Sequence, residues 1–136
     1  ENSRVQIFDG EGGFLDVWDW VGRPDDLFFD DQENLFIAEL GWTVPVGETP
    51  HFRLMQHPPM GHSPIARVTI CDPDGEIHTR IGGEESLLPG NFIVPHGIWA
   101  DSRGDFYVGE VIKTSGAIDH FAPLTCHAFQ KFVRSG

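Results

Sequence analysis

His96 is the residue whose setting points most directly to chemistry. It stands in Pro95-His96-Gly97, at the head of a run rich in apolar and aromatic residues. An imidazole can ligate a metal or move a proton near neutral pH. A catalytic zinc needs three protein ligands and an open position, so one His cannot build such a site. Three more histidines, His51, His57 and His62, lie in the stretch 41–65, which also holds five prolines. Their spacings of six and five match no common zinc motif. They are binding-loop candidates, and a Pro-rich surface loop, placed over a channel mouth, is the plainer account of them. Acidic pairs occur at Asp25-Asp26 and Asp30-Asp31. No nucleophile elbow, phosphate loop or Cys-x-x-Cys is present, and no catalytic residue is assigned.

Composition limits what could position these residues. The 136 residues include 16 Gly and 10 Pro, about a fifth of the chain against a usual roughly 12%. So many turn formers disfavour a bundle of long helices. Hydrophobic content is 40%, with 11 Phe and 4 Trp, which is enough for a core. The net charge of −12 argues against nucleic-acid partners, because phosphate affinity needs clustered Lys and Arg. No apolar run reaches the ~20 residues of a membrane helix, and no membrane span is expected. Cys71 and Cys126 allow one bridge at most, which excludes a disulfide scaffold.

Short strands separated by turns follow from the pattern, and the pattern repeats. Pro24 to Leu40 matches Pro95 to Val111 at a constant offset of 71 residues. Arg4 to Asp9 matches Arg67 to Asp72 at an offset of 63, and Gly12 and Phe14 continue onto Gly75 and Ile77. The unit is four strands, the scale of one β-propeller blade. Nine strands are expected. Residues 1–20 give the last two strands of one blade. Residues 24–82 give a full blade with the inserted loop 41–65. Residues 95–134 give an incomplete blade of three strands. The fold class is therefore all-β, a partial propeller of two to three blades. Asp30 and Asp101 recur at one repeat position and read as turn or inter-blade residues. Glu39 and Glu110 recur at the close of the second strand and read as structural hydrogen-bonding groups. Cys71 falls where Phe8 stands and reads as core.

Phe92-Ile93-Val94-Pro95-His96-Gly97-Ile98, followed by Gly104-Asp105-Phe106-Tyr107-Val108-Gly109-Glu110, resembles an NHL repeat. With Glu1-Asn2-Ser3-Arg4-Val5-Gln6-Ile7-Phe8, it resembles the peptidyl-α-hydroxyglycine α-amidating lyase branch of the NHL propellers. The resemblance covers most of the chain outside 41–65. It implies a six-bladed propeller with zinc in the central channel, one His coming from each of three alternate blades. His96 matches such a ligand. Asp25 falls on the corresponding channel-facing position of the preceding blade. Gly97 stands where the family carries a calcium Asp, so calcium does not carry over. Ile7 stands where the family has a disulfide cysteine. The other two histidines, the catalytic Tyr and an Arg have no counterpart here.

The expectation is thus a fragment of a lyase-like propeller, itself inactive, with zinc in the complete ring and a secreted or periplasmic parent. One alternative is a non-catalytic NHL module that holds a peptide or protein. Another is a sugar-lactone hydrolase-like propeller, to which Asp25 would contribute. Uncovered blade faces are expected to meet missing blades or further copies of the chain.

Overall fold

A computed structural model describes residues 2–41, 65–85, 87–112 and 126–135. It is all-β, with nine strands in three antiparallel sheets. The first sheet pairs β1 (Val5–Phe8) with β2 (Phe14–Trp18). The second runs β3 (Pro24–Phe29), β4 (Leu35–Glu39), β5 (Arg67–Cys71) and β6 (Ile77–Ile81). The third runs β7 (Pro95–Ala100), β8 (Phe106–Glu110) and β9 (Phe129–Phe132). The strands β1 to β8 form where the repeat offsets place them, and β9 lies within the 127–134 stretch expected to add a third strand. No sheet closes on itself. Among the described residues no helix is long and apolar enough to cross a membrane.

One turn design joins the paired strands. Asp9, Asp30, Asp72 and Asp101 each accept two backbone N–H bonds on Oδ1, from the residues two and four positions later. A short side chain that bonds its own turn is why Asp recurs there. The residue three positions after each Asp has positive φ: Gly12 at 87°, Glu33 at 64°, Gly75 at 86° and Gly104 at 82°. Gly75 has a second reason for lacking a side chain, since a Cβ there would lie 2.8 Å from the Trp18 ring. Glu33 is the exception, and a side chain in the left-handed region is strained. Glu33→Gly is expected to stabilise the protein by about 0.5–1 kcal/mol. A shift of the urea midpoint to higher concentration, with an unchanged slope, is the check.

The three sheets stack, with the second in the middle. Its strand β4 is buried at all five positions because both faces are covered. Leu35 and Ile37 face the first sheet and meet Trp18, Val21 and Cys71. Phe36 and Ala38 face the third sheet and meet Phe92, Ile98, Phe106 and Val108. Alternation along a strand delivers these two sets to opposite sides. Cys71 lies in the core, as its match to Phe8 predicts, and burial pushes its thiol up to about 11. That makes it a poor nucleophile at neutral pH.

Candidate functional site around Asp25 and His96

β3 and β7 are the first strands of neighbouring sheets and lie against each other. Each opens with Pro and then a bulge. Pro24 faces Glu39 and Asp26 faces Ala38, so Asp25 is the extra residue. Pro95 faces Glu110 and Gly97 faces Gly109, so His96 is the extra residue. A bulge turns one side chain out of the ladder's alternation, which is how strands re-aim a functional group. Both residues are re-aimed towards the same place. His96 Nε2 lies 3.0 Å from Asp25 Oδ2, a close approach without a well-aligned hydrogen bond, with the imidazole 57% exposed. The structure therefore brings together the two residues that the sequence singled out at one repeat position.

The neighbouring carboxylates hold this arrangement. Asp26 does not pair with Asp25; its Oδ2 crosses to the next sheet and accepts the Ile98 N–H at 2.9 Å. That bond fixes the height of β7 against β3 beside the two bulges. Behind the bulges sit two buried glutamates. Glu39 accepts the Gly22 N–H, two residues before Pro24. Glu110 accepts the N–H groups of Ile93, at 2.6 Å, and Val94, at 3.0 Å, which lead into Pro95. Each glutamate thus ties down the chain entering a bulge.

The two glutamates have different counter-charges. Arg67 meets Glu39 in a fork, Nε to Oε1 and Nη2 to Oε2, both at 3.0 Å. Thr69 Oγ1 donates to the same carboxylate. In the third sheet the register puts Ala128 where Arg67 stands and Gln130 where Thr69 stands. His127 supplies the nearby nitrogen instead, with Nε2 3.2 Å from Glu110 Oε1 but without a well-aligned hydrogen bond. Burial pushes the Glu110 carboxyl up, while the two backbone donors pull it back.

His51, His57 and His62 lie outside the described residues. Among the described residues no three His, Cys, Asp or Glu side chains come together as a metal site. Asp25 and His96 alone do not fit a catalytic zinc, which needs three protein ligands. The pair can do something simpler. A carboxylate beside one ring nitrogen orients the imidazole and leaves the other nitrogen for a proton, a substrate or a metal. A separate cleft lined by Asn34, Phe36, His78 and Arg134 lies at the other end of the strands, by the Asp turns.

The sequence pointed to Asp25 and His96, and to Glu39 and Glu110 as hydrogen-bonding supports, but not to the counter-charges of those glutamates. Arg67 carried a signal, because Arg4 precedes the matching strand in the other copy. His127 carried none, because the residue it replaces sits one position away in the register. What the described residues define is an all-β arrangement of three sheets with a paired acid and imidazole at the head of the first strands of two of them. Neither the protein-family models nor the curated proteins contain a match to it.

Proposed function

We propose that the chain supplies three consecutive sheets of an NHL-type six-bladed propeller. We further propose that the assembled propeller is a zinc-dependent lyase for peptidyl-α-hydroxyglycine-like substrates. The observation that carries this reading is the Asp25–His96 contact. Equivalent positions of neighbouring first strands converge, as residues lining a shared channel would. The chain itself supplies one imidazole to that channel, so no catalysis is assigned to it alone. Gly97 offers no carboxylate, and calcium at that position is not part of the reading.

Uncovered faces support further sheets on both sides. Val68 is fully buried under the third sheet, and the register places Phe129 at the same position of that sheet, where it is 65% exposed. Ile98 is buried against the second sheet, while its counterpart Leu27 is 46% exposed. Neighbouring sheets of the same ring, or other copies of the chain, would cover these faces. Light scattering of the isolated chain is expected to find association, and a strict monomer at high concentration counts against it.

The decisive test uses the protein as the cell makes it. Stoichiometric zinc, turnover of a peptidyl-α-hydroxyglycine and loss of both in His96→Ala are expected. A zinc content unaffected by His96→Ala, or no turnover, would sink the lyase reading. The second reading is a non-catalytic NHL module. It takes the same Asp25–His96 contact as a tie between neighbouring strands rather than as part of a metal site. Peptide or protein binding that survives both chelation and His96→Ala would support it.

A further inference from the structure

We propose that Asp25 is a positioning residue for His96, and that it makes Nδ1 the nitrogen through which His96 works. Asp25 and His96 are the extra residues of matching bulges on adjacent strands, so both side chains leave the regular alternation at one level. The Asp26–Ile98 bond then sets that level, because it joins the residue after Asp25 to the residue two after His96. Behind the strands, Glu39 and Glu110 anchor the segments that enter the two bulges. The 3.0 Å contact between Asp25 Oδ2 and His96 Nε2 is therefore set by three carboxylates, Asp26, Glu39 and Glu110, acting from two sheets.

The chemical consequence follows from proton placement. A carboxylate is an acceptor only, and two lone pairs facing each other at 3.0 Å repel, so the tautomer with the proton on Nε2 is favoured even without a well-aligned hydrogen bond. A neutral imidazole has one N–H, so Nδ1 is left with its lone pair. With 57% of the side chain exposed, Nδ1 is free to take a proton, accept from a substrate hydroxyl or ligate a metal. Asp25 touches none of these; it acts through His96. The pairing does not depend on the lyase reading, whereas its use in that reaction does.

Imidazole nitrogen NMR on the 15N-labelled full chain tests this without a substrate or a metal. The measurement is made at about pH 8, above the ordinary imidazole range. His96→Gln assigns the signals by deleting them. The expected result is an Nε2–H imidazole with Nδ1 at the chemical shift of an unprotonated nitrogen. In Asp25→Ala the two shifts are expected to move towards each other as both tautomers become populated. Asp26→Ala is expected to move them the same way by less, because it loosens the strand contact but leaves the carboxylate. An Nδ1–H tautomer in the unaltered protein overturns the proposal, as do shifts that do not move in Asp25→Ala. Failure here leaves zinc content and turnover untouched as tests of the lyase reading. Conversely, an Nε2–H tautomer that collapses in Asp25→Ala stands even if no zinc is found.

Discussion

Glu39→Ala is expected to destabilise the protein by about 3–5 kcal/mol, because it strips a buried ion pair of one partner. The Glu39 side chain is fully buried, and Arg67 is only 11% exposed. In the variant the guanidinium keeps its charge and loses both arms of its fork. The Gly22 N–H and the Thr69 hydroxyl lose their acceptor as well. An orphaned buried donor costs about 1–3 kcal/mol, so the upper half of the range is the better expectation if no water enters. Urea unfolding followed by Trp fluorescence measures it, since Trp18 and Trp20 stack beside this region. A loss under 1 kcal/mol would mean that the fork contributes little. Arg67→Met supplies the control. It removes the charge and keeps the stem, but leaves the Glu39 carboxylate buried, and it too is expected to be strongly destabilising.

Glu110 occupies the matching position, yet its loss should cost less. Its neighbour is the imidazole of His127 and not a permanently charged guanidinium, so Glu110→Ala strands no permanent charge. The pH dependence has a definite sign. Burial is the largest influence on Glu110 and raises its carboxyl above the ordinary 4.5. The folded state therefore binds this proton more tightly than the unfolded chain does. On this group's account, stability is highest below about 4.5 and falls as pH rises through the folded value. Asp101 acts in the opposite sense. Its hydrogen bond from the Arg103 side chain is the main cause that holds its carboxyl down at about 2. Its contribution is present above the ordinary 3.8 and is lost as pH falls towards 2.

The strands β1 to β8 were legible because each is short, aromatic or branched, and bounded by the same Asp turn. Asp9, Asp30, Asp72 and Asp101 mark four hairpins with one local device, and a local device can be read from a local pattern. Asp25 and His96 were legible because both follow a Pro at one repeat position. Their contact was not, because it depends on how two sheets are turned against each other. Asp26 and Ile98 are 72 residues apart and meet across sheets, which strand periodicity does not encode. The Glu39–Arg67 fork spans the 41–65 insertion and needs the β4–β5 register before it can be seen. His127 broke the repeat outright, since no imidazole stands at the corresponding place in the second sheet.

Phe106→Ala is expected to cost about 3–5 kcal/mol, and it tests whether the second and third sheets fold as one body. Phe106 is buried between them. Its ring stacks on Phe132 of its own sheet, with centroids 4.5 Å apart and planes within 2°. On the other side it meets Phe36 of the second sheet, with centroids 5.4 Å apart. Truncation removes both ring contacts and opens a cavity that rigid strands cannot collapse to fill. If the sheets form one cooperative unit, the whole unfolding transition moves and its slope is unchanged. If they are separable, the signals divide. Trp99, on β7 of the third sheet, would then report early loss, while Trp18 beside the second sheet would report the original midpoint. The site makes the distinction matter, because Asp25 belongs to the second sheet and His96 to the third. A pair divided between two sheets is only as well ordered as the core joining them. Phe106→Ala should therefore also move the His96 nitrogen shifts, although the ring lies outside the site.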